Sequence, residues 1–168
     1  MGVTCDFWMV TKEEIVEVSN MSDDDDFVES FLEGYIAGNY TVSITVEKAW
    51  DGLNYLMSRA TQEKKFPVGF FHLGTPLGFL VGNLGHDDPG ARWFNENETA
   101  LIADFLDSFN CERLLEHFDP SKMNEEKIYP EIWTNPESFD YLYENFEILQ
   151  RFFRDATDAG ACVITIYT

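Results

Sequence analysis

Phe139, Leu142, Phe146, Leu149, Phe153 and Ala156 follow one another at alternating steps of three and four residues. That spacing places all of them on one face of an α-helix. Asn135 and Pro136 suit its start and Gly160 its stop. Directly behind Gly160, Ala161 to Tyr167 is an uncharged, β-branched run, the pattern of a strand buried within a sheet. A long one-sided helix and a strand with no polar face both need cover. Together they predict an α+β fold, a small sheet with helices packed around it.

Upstream segments fit the same plan. Val3 to Val10 is rich in strand formers, and Thr11 with Glu14 forms a capping box ahead of Ile15 and Val18 on a short helix. Asp23 to Asp26 read as the acidic start of an amphipathic helix that closes at Gly34, with a turn at Gly38-Asn39. Val46, Trp50, Leu53 and Met57, with Leu56 beside them, predict a core helix capped by Thr45 and ending near Arg59 and Ala60. Residues 61–65 are polar and predict a loop. In the apolar, glycine-rich stretch from Val68 to Gly85, the interruptions His72, Pro76 and Asn83 argue against a membrane span. They favour a buried strand or turn, then a short helix started by Thr75 and Pro76. Asn95 and Glu98 form a second capping box before Leu101, Ile102, Phe105, Leu106 and Phe109. Leu114, Leu115 and Phe118 suggest a further short helix, and Asp119-Pro120 can cap another turn. Proline keeps Ile128 to Trp133 irregular or extended.

With 168 residues, no repeat and no linker, the chain is expected to form one domain over residues 1–168. Its 31 acidic residues against 11 Lys plus Arg give a net charge of −20. Such a surface repels nucleic acid and anionic membranes; on charge alone it reads first as a solubility feature and second as attraction for a basic protein partner. Cys5, Cys111 and Cys162 are odd in number and form no Cys-x-x-Cys pair, so reduced thiols are expected. No signal peptide is visible at the N-terminus, and a cytoplasmic location follows as an expectation.

Motifs that carry chemistry are scarce. There is no Gly-x-Gly-x-x-Gly, no Gly-Lys-Ser/Thr and no Gly-x-Ser-x-Gly, so no nucleotide cofactor or serine nucleophile is expected. Neither Asp23 to Asp26 nor His86-Asp87-Asp88 has metal-ligand spacing, so no metal is expected either. His72, inside an apolar run, reads as a hydrogen-bonded core histidine. Arg92, one of few cations and followed by Trp93-Phe94, reads first as an internal ion pair and second as a clamp for an anionic ligand. Tyr129 and Trp133 read as packing residues first and pocket walls second.

Taken together, several stretches resemble the YfbM-like family, domain-of-unknown-function family 1877. They are Met1-Gly2, the run Lys48-Ala49-Trp50-Asp51-Gly52-Leu53-Asn54-Tyr55-Leu56-Met57, and Pro76 to Gly82. Further on come Gly90-Ala91-Arg92, Ile128-Tyr129-Pro130 with Trp133, and Phe152-Phe153 followed by Gly160. Family members often carry histidine in the Trp-centred helix, where this chain has Asp51 and Asn54. The resemblance implies a compact α+β domain with helices around a small sheet and implies no reaction. It also draws Lys48, Trp50, Asp51, Arg92, Tyr129 and Trp133 together as candidate ligand-binding residues.

Two functional readings result. The first is a non-enzymatic, protein-binding domain whose acidic face meets a basic partner, in the manner of an immunity-type inhibitor of a basic toxin or effector. The second is a small-molecule binder or enzyme that takes an anionic ligand near Arg92 and Tyr129.

Overall fold

The computed structural model describes residues 2–20, 42–77, 91–135 and 137–168. The strands are β1 (Cys5–Val10), β2 (Val42–Thr45), β3 (Thr75–Pro76), β4 (Arg92–Phe94) and β5 (Cys162–Tyr167). They form one five-stranded sheet in the order β2-β1-β5-β4-β3, antiparallel throughout. The central strand β5 is buried at every residue, as its uncharged run requires. Cys5 pairs with Tyr167 and Val10 with Cys162, so the two terminal strands lie side by side.

Strand alternation sorts side chains onto two faces. Trp8, Cys162, Ile164 and Ile166 point to one, where Ile15 and Val18 of α1 (Lys12–Asn20) cover them. Phe7, Phe94, Val163 and Tyr167 point to the other, which carries the larger core. The remaining helices contribute to that core: α2 (Trp50–Ala60), α3 (Glu96–Asp107), α4 (Cys111–Leu115), α5 (Pro120–Glu125) and α6 (Glu137–Asp158). All six apolar positions of α6 named above are buried there. Each fully buried Leu, Phe or Val contributes about 1.5–3 kcal/mol, so this face dominates stability.

Local signals set most helix starts. Thr11 and Glu14 exchange their capping hydrogen bonds, as do Asn95 and Glu98. Asp119 and Asn135 accept from Lys122 N and Ser138 N at the starts of α5 and α6.

The Trp-centred helix departs from expectation. Residues 42–45 are strand β2, Thr45 Oγ1 accepts from Glu47 N in a turn, and the helix starts only at Trp50. Val46 is buried from that turn rather than from the helix, because Val46 N is held by Cys5 O at the head of β1. Thr75 and Pro76 likewise pair with Trp93 and Arg92 as a short edge strand instead of opening a helix. An edge accommodates proline, which has no N–H to donate. The acidic run Asp23 to Asp26, the Gly38-Asn39 turn and His86-Asp87-Asp88 lie outside the described residues.

Candidate functional site

Where β1 begins and β5 ends, the sheet face carrying the larger core finishes in Tyr167, Thr165 and Arg92. Arg92 stands directly opposite Thr165 across the β4–β5 pair, and Phe7 flanks Thr165 on its other side. Residues opposite one another on neighbouring strands share a face, so the guanidinium stem and the Thr165 hydroxyl rise together.

Arg92 Nη1 donates to Gly74 O at 3.4 Å. Its Nε is buried without a partner among the described residues, and so is Thr165 Oγ1 on a residue only 1% exposed. Among the described residues no carboxylate pairs with Arg92, so the expected internal ion pair has no partner there. Leaving a buried polar group unsatisfied costs about 1–3 kcal/mol, and here such groups stand side by side.

Aromatic rings form the adjoining wall. Trp50, in the first turn of α2, stacks on Tyr129 with centroids 5.6 Å apart and 26° between planes. It meets Tyr167 edge-on at 5.1 Å and His72 edge-on at 5.6 Å. The His72 and Tyr167 rings are parallel within 3° at 6.3 Å. His72 is therefore no core histidine: its edge reaches solvent while its ring lies against Trp50 and Tyr167. The apolar run hides this because the 3₁₀ turn Phe70–His72 buries Phe70 and Phe71 and turns the next side chain outward.

Hydrogen bonds hold this wall in place. Trp50 Nε1 donates to Val3 O at 3.2 Å, and Val3 N donates to the Tyr129 hydroxyl at 2.7 Å. Tyr129 N donates to Asp51 Oδ2 at 2.9 Å, tying the loop before α6 to the start of α2. Tyr167 donates its hydroxyl proton to Phe71 O at 2.5 Å. A side chain at Gly2 would run into the Tyr129 hydroxyl and Lys48 Cε, so only glycine lets the N-terminal segment pass.

Burial leads the electrostatics of the site. It raises the Asp51 carboxyl above its usual range, against the Tyr129 N–H and His72, which favour the ionised form. It lowers His72, with Arg92 pushing the same way and Asp51 opposing. It also raises the Tyr167 phenol, which Arg92 pulls back down.

Of the residues expected from sequence, Trp50, Asp51 and Tyr129 are in direct contact with one another, and Arg92 reaches the same end of the sheet through β4. Lys48 is exposed and reaches the rim beside Gly2. Trp133 sits elsewhere, fully buried against Gly52, with Nε1 bound to Ile128 O at 2.7 Å. Thr165 and Tyr167 are not legible in the sequence because an uncharged strand reads as core; register against Arg92 sets Thr165 apart, and ring contacts with Trp50 and His72 set Tyr167 apart. At the opposite end of the sheet, a groove of about 540 Å³ runs between Val10, Lys12, Val42, Glu96 and Gly160. Lys12 and Glu96 pair there at 4.0 Å, and burial with Glu96 pushes the nearby Cys162 thiol up to about 11, far from a reactive thiolate.

No curated protein matches the chain. The crystal structure of YfbM from Escherichia coli, a protein of unknown function, is similar in fold, with a TM-score of 0.65 at 20% identity, covering 98% of this chain and 99% of that one. The family described as a domain of unknown function (DUF1877) matches residues 1–166. The chain therefore belongs to the DUF1877 family, and its fold is that of YfbM.

Proposed function

We propose that this protein binds a small anionic molecule at the end of its sheet, with Arg92 as the anion-binding group. One observation carries the reading: a half-buried guanidinium lacks a carboxylate partner among the described residues and stands opposite an unsatisfied, buried hydroxyl. A planar guanidinium with free donors suits a carboxylate or phosphate, and the half-buried rings of Trp50 and Tyr129 lie at the same end of the sheet. The reading is of a binding protein rather than an enzyme.

Thermal unfolding with acetate, benzoate, phosphate and sulfate tests it. At least one anion should raise the melting temperature of the wild type, and Arg92→Gln should abolish the rise. A wild type indifferent to every anion sinks the proposal.

The net charge of −20 favours a second reading, a cytoplasmic acidic domain that captures a basic protein in the way an immunity-type inhibitor captures a toxin. Nucleic acid fits that charge poorly. Capture from the source cell at low and raised salt separates the readings: a salt-sensitive basic partner supports this one, and its absence counts against it. No described helix is long and apolar enough to cross a membrane.

A further inference from the structure

Arg92 carries a positive charge and Asp51 a negative one, yet they form no ion pair with each other. Both charges act on the same two rings, His72 and Tyr167. Those rings lie parallel, with the Trp50 indole edge-on to each. An aromatic stack thus stands within reach of a cation on β4 and an anion on α2 that do not neutralise one another.

Each charge has bonding capacity to spare. Among the described residues Arg92 Nε is unpartnered, as is the Thr165 hydroxyl opposite it. Asp51 uses Oδ2 for the Tyr129 N–H, and its Oδ1 has no hydrogen-bond partner among the described residues. A half-buried carboxylate and a half-buried guanidinium left apart are each costly, and a ligand that brings the complementary charge to each relieves both.

Resting on the anion-binding reading above, we infer that the ligand is a small zwitterion of the amino-acid class. Its carboxylate meets the half-buried guanidinium of Arg92, and its ammonium meets Asp51. The Trp50 and Tyr129 rings lie beside Asp51, and aromatic faces add to the attraction for an ammonium group. A plain anion would still bind Arg92 but gain nothing from Asp51 and so bind more weakly, which makes the Asp51 carboxylate a selectivity element.

Calorimetric titration of the full chain with L-alanine and L-phenylalanine tests this, each compared with its deaminated acid (propionate, 3-phenylpropionate) and its decarboxylated amine (ethylamine, phenethylamine). At least one amino acid should bind about tenfold or more tightly than its deaminated acid, and its amine should not bind. Asp51→Asn keeps an acceptor for Tyr129 N, so it should weaken the amino acid about tenfold or more while leaving the acid unchanged or tighter. Arg92→Gln should remove both. Circular dichroism of each variant confirms that it is folded. If the acids bind as tightly as the amino acids, the zwitterion is overturned and the anion reading stands. If neither binds the wild type, both fall.

Discussion

His72 feels charges of opposite sign, and their effects on it can be measured one at a time. Burial and Arg92 hold its imidazole below the ordinary value of 6.5, and Asp51 works against them. Proton NMR titration should place its midpoint below 6.5. Arg92→Gln should raise that midpoint and Asp51→Asn should lower it further; shifts of the same sign would contradict the arrangement. A depressed histidine contributes stability above its unfolded value that is lost as pH falls through the folded one. Acidification below 6.5 should therefore destabilise the wild type, and His72→Gln should flatten that slope in chemical denaturation measured at several pH values. Gly52 makes a different point. A Cβ there would meet Leu142 Cδ2 at 2.7 Å and Trp133 Cη2 at 2.8 Å, both on fully buried side chains. Overpacking costs about 1–3 kcal/mol, against the roughly 1 kcal/mol that alanine gains over glycine in a helix. Gly52→Ala should therefore lower urea stability on balance, where a helix considered alone would be strengthened. Trp50 and Arg92 were legible as candidates because large aromatics and scarce cations stand out in an acidic chain. Thr165 was not, since a hydroxyl in an apolar strand becomes informative only once its neighbour across the sheet is known.

The helices were the readable elements, because their signals are local. Caps at Thr11, Asn95, Asp119 and Asn135 all form the expected hydrogen bonds. Asn95→Ala removes the acceptor for Glu98 N and half of a reciprocal box, and a loss of about 1 kcal/mol in urea unfolding is expected. The short strands were opaque for the converse reason. β2, β3 and β4 span four, two and three residues, too few to show alternation, and they exist because longer partners offer them hydrogen bonds. β2 also took the residues that looked like a helix cap, since pairing Ile44 with Phe7 extends the sheet.

For the molecule as a whole, the −20 charge opposes compaction while the two cores drive it. Added sodium chloride should raise the melting temperature at neutral pH by about 2–4 °C for each kcal/mol of repulsion it screens. A flat or falling curve would mean that the charges are already compensated locally. The described ion pairs are few and lie on the exposed surface, Arg154 with Asp104 and Asp107 and Arg59 with Glu126 among them, so little such compensation is built in among the described residues.

What the chain determines by itself is whatever needs only a few consecutive residues: the face of α6, the caps, the apolar central strand and the class of fold. Tertiary structure alone decided that Trp50, His72, Arg92, Tyr129, Thr165 and Tyr167 converge on one end of the sheet. They come from a helix start, a 3₁₀ turn, two strands and a loop. Strand register and core packing bring them together, and neither is written in any local stretch.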